Sequence, residues 1–128
     1  GPVWKRDPLH NISHGATAMQ VARFYYLAMT GRLISERYLS DFAEIMSDSG
    51  IQHKFVKGLK KVNPDGEIYR KSGTWKAFHA DSGVIIDKKA GYQYIIVALI
   101  EHPKGADIIA RFAAVVDDML VRSHPVSN

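Results

Sequence analysis

Cysteine is absent from this chain. That excludes a disulfide scaffold, cysteine-ligated zinc and thiol catalysis. It does not set the compartment, because an exported protein can also do without cysteine. Long apolar runs are missing too. The longest, Ile95 to Ile100, is strand-sized, far short of the roughly 18 residues of a membrane span. No signal peptide is visible, no segment repeats and none is of low complexity. Gly1-Pro2 reads as the scar of a protease cleavage, with the natural start expected upstream.

What is present suits one ordinary domain. The chain has 128 residues, 46% hydrophobic and 23% charged. That is enough to bury a core without disulfides or metal. The net charge is +4 and the pI about 9.4. A basic balance can draw nucleic acid or anionic surfaces. Here the charge is spread, with one small cluster at Lys54, Lys57, Lys60 and Lys61. A solvated face is the expectation there, and no nucleic-acid partner is expected.

Residues 1 to 15 read as loop, punctuated by Pro8, Asn11, Ser13 and Gly15. A helical period then runs from Ala16 to Met29. Its stripe is Met19, Ala22, Tyr26 and Met29, widened by Ala18, Val21, Tyr25 and Ala28. Thr17 or Ser13 is placed to cap its start, and Gly31 to end it. Ser35 is expected to cap a second helix with Leu39, Phe42, Ala43 and Met46 inward, stopped by Ser47-Asp48-Ser49-Gly50. A third, shorter helix is predicted over Ile51 to Leu59, with Phe55, Val56 and Leu59 inward.

After Asn63-Pro64-Asp65-Gly66, a turn by composition, the period changes. Strands are predicted at Glu67 to Trp75, Ser82 to Asp87 and Tyr92 to Ile100, the last two joined by a Lys88-Lys89-Ala90-Gly91 hairpin turn. A last helix follows Pro103-Lys104-Gly105, its apolar stripe read as Ile108, Ile109, Phe112, Val115, Val116, Met119 and Leu120. Asp107 with Arg111 and Asp118 with Arg122 stand four apart on its other side. Asp117-Asp118 reads as a solvated face. The predicted class is α+β: three helices, then a three-stranded antiparallel sheet covered by a C-terminal helix.

The best local candidate for chemistry is Lys71-Ser72-Gly73-Thr74, inside the first strand. A mid-strand glycine weakens pairing and often marks close approach of a ligand or of another backbone. A lysine and a hydroxyl beside it suit an anionic ligand, one supplying charge and the other a directed hydrogen bond. An edge strand with a bulge is the plain alternative. His79-x-Asp81 reads as part of a loop rather than a metal or acid/base site, and no metal is expected. The histidines at 10, 14, 53, 102 and 124 share no ligand spacing. Tyr25-Tyr26 reads as core and boundary rather than a stacking platform.

Ile68-Tyr69-Arg70-Lys71-Ser72-Gly73-Thr74-Trp75, followed by Phe78-His79-Ala80-Asp81-Ser82, resembles the third sheet strand of penicillin-recognising serine enzymes. It looks most like class A β-lactamases. Ala16 to Phe24 with Thr30-Gly31-Arg32-Leu33 resembles the helix after that family's omega loop. The strand pair Val84 to Ile100 and the helix Ala106 to Val121 match the end of its fold. The resemblance implies roles residue by residue. Lys71 supplies positive potential, Ser72 binds the substrate carboxylate, and Gly73 keeps the inner face of the strand open. Thr74 stands where the family uses a backbone N–H in the oxyanion hole. Such a donor acts on charge developing in the transition state.

The departures are as informative. The family nucleophile lies in Ser-x-x-Lys. None of the serines, at 13, 35, 40, 47, 49, 72, 82, 123 and 127, has lysine three residues later. No Ser-x-Asn or Tyr-x-Asn is present either. The omega-loop glutamate of the class A enzymes would fall at or before residue 1, leaving residues 1 to 15 as scar and loop tail. Residues 16 to 128 are then the C-terminal part of a β-lactamase-like serine hydrolase domain, expected to be inactive alone and to need no cofactor. A non-catalytic binding or assembly module on the same fold is the alternative. The resemblance implies an exported, periplasmic or secreted location. Expected partners are a β-lactam or D-Ala-D-Ala-like ligand once the site is complete. Strand 92–100 is expected to pair with the missing N-terminal half or with itself, because only Lys88 and Lys89 guard its apolar edge.

Overall fold

The computed structural model of the chain describes residues 15–47 and 50–123. The first helix, α1, is Ala18–Met29. Thr17 Oγ1 accepts the Gln20 N–H at 3.2 Å, and Gln20 Oε1 accepts the Thr17 N–H at 2.8 Å, closing a capping box. Ser13, the other candidate cap, lies outside the described residues. Gly31, at φ 70°, follows the helix end. Ser35 precedes a single 3-10 turn, Glu36–Tyr38, but makes no side-chain capping bond. Helix α2, Leu39–Ser47, continues from that turn with its predicted apolar residues half-buried.

Helix α3 is Phe55–Val62 rather than the predicted Ile51 to Leu59. The physical reason lies in its lead-in. Arg70 holds the Ile51 carbonyl at 2.9 Å and the His53 carbonyl at 3.4 Å. Lys54 then takes φ 54°, a left-handed conformation through which no right-handed helix continues, so the helix starts only after it, at Phe55. Phe55, Val56 and Leu59 are buried as predicted.

Strands β1 (Glu67–Trp75), β2 (Phe78–Asp87) and β3 (Tyr92–Glu101) form one antiparallel sheet in the order β1-β2-β3. The second strand starts four residues earlier than its composition suggests. Trp75 pairs with Phe78, so a two-residue turn, Lys76-Ala77, closes the first hairpin. Lys76 accepts the φ of 52° that such a turn demands. The second hairpin turns at Gly91, φ 76°, with its N–H on the Asp87 carbonyl at 2.8 Å. Pairing of β1 with β2 is continuous through Ser72, Gly73 and Thr74, so no bulge interrupts the motif. Helix α4, Gly105–Ser123, completes the order.

The sheet is covered on both faces. Helix α1 packs on β2 and β3, with the Tyr25 hydroxyl donating to the Ser82 carbonyl at 2.9 Å. Helices α3 and α4 pack on each other, and α4 covers the opposite face of β2 and β3. The core lies between: Phe55 and Leu59 of α3, Ile85 of β2, Ile96 of β3, Ile109 and Ala113 of α4. Fully burying such an aliphatic or aromatic side chain contributes about 1.5–3 kcal/mol. A Cβ on Gly58 would stand 2.0 Å from the Ala110 carbonyl oxygen, so only glycine lets α3 approach α4 this closely.

Two apolar stripes sit differently from their predicted placement. On α1 the buried positions are Tyr25 and Ala28, while Met19 and Tyr26 are exposed. On α4 the buried arc is Ile109, Ala110, Ala113 and Asp117, and Phe112, Val115 and Met119 face outward. A second helix covers only one flank of α4, and apolar spacing along a single helix does not say which flank.

Candidate functional site

Strand β1 is an edge of the sheet, and its second half turns outward. Lys71, Gly73, Thr74 and Trp75 are exposed and Ser72 is half-buried. Lys71 Nζ donates to the Ser72 carbonyl at 2.9 Å, which folds the ammonium back along the motif. A Cβ at Gly73 would meet nothing within 4 Å. No backbone of the described residues approaches there, so the glycine leaves open space instead of relieving a contact. Thr74, paired with His79, is one residue from the hairpin turn.

Behind this edge lies a residue the sequence reading assigned to a solvated cluster. Lys54 is 1% exposed, unlike its exposed neighbours Lys57, Lys60 and Lys61. Its Nζ donates to the Gly73 carbonyl at 2.6 Å, the Thr74 hydroxyl at 2.9 Å and the Ala80 carbonyl at 2.9 Å. All three donors of the ammonium are used. Burial pushes its pKa down, and the charge of Asp81 pulls it back up. The left-handed φ that ends the lead-in to α3 also aims this side chain at β1. No one-dimensional pattern announces that turn.

Asp81 is the second buried charge. It forms an ion pair with Arg70, and it also accepts the Phe55 N–H at 3.1 Å and the Ser82 N–H at 3.1 Å. Burial raises its pKa, opposed by the guanidinium of Arg70. His79 and Asp81 are therefore strand residues of β2, not the loop expected, and they have separate tasks. His79 packs its ring against Gly105, where a Cβ would stand 2.5 Å from the imidazole. Asp81 ties α3 to the sheet. Among the described residues, no group of three His, Cys, Asp or Glu side chains stands where it could hold a metal ion. His10, His14 and His124 lie outside the described residues; His53 is half-buried, and His102 Nδ1 accepts the Lys104 N–H at 3.0 Å.

A trough of about 600 Å³ opens beside the motif, lined by Gly73, Trp75, Phe78, Ala80, Leu99 and Glu101 among others. Strand alternation puts the side chains of Lys71, Trp75, Phe78 and Leu99 on this face, the one that α1 covers further along. Trp75 and Phe78 stack with centroids 6.1 Å apart, and Lys76 Nζ lies 4.5 Å from the Trp75 ring centre. Trp75, Phe78 and Leu99 are 65%, 47% and 46% exposed, so the trough is apolar and unfilled by this chain's described residues.

The sheet has a second buried polar cluster at its other end. Asp117, 1% exposed, is not on a solvated face as expected. Its Oδ1 accepts from the Tyr94 hydroxyl at 2.8 Å, the Tyr92 hydroxyl at 3.2 Å and the Asn63 amide at 3.4 Å. Burial and the neighbouring carboxylate push Tyr92 up to about 12 and raise Tyr94 as well. The signal was present in the spacing: Asp117 is four residues after Ala113 and eight after Ile109, on the stripe that is buried.

Among the described residues, four α-helices around a three-stranded antiparallel sheet, with a Lys-Ser-Gly edge strand, define a partial β-lactamase-like α+β fold. The chain belongs to the β-lactamase enzyme family, whose model matches residues 7–120. Solved structures carry the same fold at low identity. A β-lactamase from Francisella tularensis superposes with a TM-score of 0.75 at 18% identity, over 91% of this chain and 46% of that one. A mutant of PBP-A, seen as an acyl-enzyme complex with penicillin G, gives 0.72 at 18% identity, over 80% of this chain and 39% of that one. A class A β-lactamase representative from Bacteroides cellulosilyticus gives 0.62 at 20% identity, over 84% and 41%. The chain thus spans less than half the length of each of these structures. No curated protein sequence matches it.

Proposed function

We propose that this chain is the substrate-recognition wall of a serine acyl-transfer hydrolase acting on β-lactams or D-Ala-D-Ala-like peptides. The observation that carries the reading is the exposed Lys71-Ser72-Gly73-Thr74 edge, open in front at Gly73 and held from behind by the buried ammonium of Lys54. In this reading Lys71 and Ser72 bind the carboxylate of the substrate through a charge-assisted and a directed hydrogen bond. The Thr74 N–H faces the carbonyl oxygen as charge develops on it. A single donor of that kind contributes about 2.7–4 kcal/mol to the transition state. Lys54 is a positioning residue: it fixes the Gly73 carbonyl and the Thr74 side chain, and so the direction of the donor.

The nucleophile comes from outside these residues, since no Ser-x-x-Lys is present. Formation of the acyl-enzyme requires a serine oxygen to attack the carbonyl and a base to take its proton. The apolar trough beside Gly73 is the natural seat for the segment that brings that serine. The chain alone recognises but does not react. An exported location goes with this reading, and no helix among the described residues is long and apolar enough to cross a membrane.

A second reading, a non-catalytic binding or assembly module, rests on the same two observations: an exposed Lys71-Ser72-Gly73-Thr74 edge and no Ser-x-x-Lys in these residues. Two measurements separate the possibilities. Incubation with a fluorescent penicillin should leave the chain unlabelled; covalent labelling would refute its inactivity. Titration with an acyl-D-Ala-D-Ala peptide should shift the amide resonances of residues 71–74 and not those of Lys71→Ala. No shift in either protein removes the ligand assignment. Ser-x-x-Lys in the residues encoded upstream of Val3 would favour the hydrolase, and its absence the module.

A further inference from the structure

Two carbonyls of the motif strand are held by side chains from other elements. Lys54, from the α3 side, fixes that of Gly73. The Lys71 carbonyl, two residues earlier, accepts the Ser82 hydroxyl at 3.2 Å. In an antiparallel pair, backbone groups two residues apart point the same way. Lys71 and Gly73 therefore turn their carbonyls toward β2. Ser72, between them, turns its own outward, where the Lys71 ammonium meets it at 2.9 Å.

Ser82 does not act alone. It stands opposite Lys71 in the register, so both side chains lie on the face that α1 covers. Tyr25 of α1 is 2% exposed. Its hydroxyl donates to the Ser82 carbonyl at 2.9 Å and lies 3.2 Å from the Ser82 hydroxyl oxygen. Each hydroxyl has one proton to give. With the tyrosine's on the Ser82 carbonyl, the serine's goes to Lys71. Burial raises the pKa of Tyr25 from its ordinary 10.0, opposed first by the bond to Ser82, so the phenol keeps its proton at neutral pH.

We propose that Tyr25 and Ser82 are positioning residues for Lys71, a latch from α1 through β2 that fixes the line of β1. It thereby sets the place from which the Lys71 ammonium and the Ser72 hydroxyl meet an anionic ligand. Lys54 holds the motif from the opposite face. The strand is thus clamped at Lys71 and at Gly73, while Ser72 keeps its outer side free. The hydroxyl that sets the latch is carried by a helix, so the packing of α1 on the sheet reaches the recognition edge. The ligand half of the proposal rests on the recognition reading above; the latch itself does not.

Titration with an acyl-D-Ala-D-Ala peptide, read at the amides of residues 71–74 in fully folded protein, tests it. Ser82→Ala and Tyr25→Phe should each weaken binding about fivefold, the range of one net hydrogen bond. Ser82→Thr keeps the hydroxyl and should bind like the parent. Tyr26→Phe, at the exposed neighbouring position, should change nothing. A role confined to stability would lower the unfolding midpoint and leave the affinity of the folded protein unchanged. Without ligand, the carbonyl-carbon resonance of Lys71 should move in Ser82→Ala and Tyr25→Phe but not in Tyr26→Phe. Parent-like affinity in the first two variants overturns the proposal, and so does an unmoved Lys71 resonance. A parent that binds no peptide defeats the recognition reading instead, and the resonance then decides the latch: moved, it stands; unmoved, it falls.

Discussion

The two edges of one three-stranded sheet differ in almost every respect. The β1 edge is polar, exposed and backed by buried charge: Lys54 under Gly73 and Thr74, Arg70 against Asp81. The β3 edge is apolar, and the buried polar groups at its start are tyrosine hydroxyls and an amide gathered on one carboxylate, Asp117. The difference lies in how each edge is held. The β1 edge presents a lysine and hydroxyls over charges that water cannot reach. The β3 edge presents side chains that gain by leaving water.

The largest expected effect comes from the buried pair. Asp81→Ala leaves Arg70 inside the protein without its carboxylate and α3 without its tie at the Phe55 N–H. Removing one partner of a buried pair costs about 3–5 kcal/mol. Denaturant unfolding checks it, and a loss below about 1 kcal/mol, the range of a surface pair, would show that the β1 edge does not depend on buried charge.

The second effect belongs to the β3 edge. Tyr92 is raised from 10.0 to about 12, and Tyr94 is raised too, chiefly by burial and then by Asp117. A raised pKa means that the fold favours the protonated hydroxyls. Their stabilising contribution is therefore complete below about pH 10 and is lost as pH rises through 12. Melting temperature followed across that window should fall, and fall less in Tyr94→Phe. A flat profile would mean the cluster is not coupled to folding.

The smallest effect on stability is the one that matters most for the proposed activity. Lys71→Ala removes an exposed side chain whose ammonium donates to the next residue's carbonyl. Its stability should stay within about 0.5 kcal/mol of the parent, while the peptide-induced shifts at residues 71–74 disappear. A variant that loses both would make Lys71 part of the fold rather than of the site.

Much of this molecule was legible in one dimension. The order of elements, the α+β class, the inward set of α3 and the hairpin at Gly91 follow from apolar period and turn residues, which act locally. The resemblance carried by Lys71 to Trp75 pointed to the family. The errors cluster where a distant residue intervenes. Helix α3 starts late because Arg70, far along the chain, holds the carbonyls of Ile51 and His53. Strand β2 starts early because Trp75 and Phe78 can pair across a two-residue turn.

Composition and spacing alone determined that the chain lacks thiol chemistry and Ser-x-x-Lys, and that a lysine, a serine and a glycine share one strand. Only the tertiary structure decided that this strand is an edge, that its glycine faces open space, and that Lys54 stands behind it while Asp117 is buried at the far end. The reason is physical. Period and turn chemistry depend on neighbours in sequence. Burial of a charge depends on which acceptors the fold brings within reach, and those lie 19 to 26 residues away for Lys54.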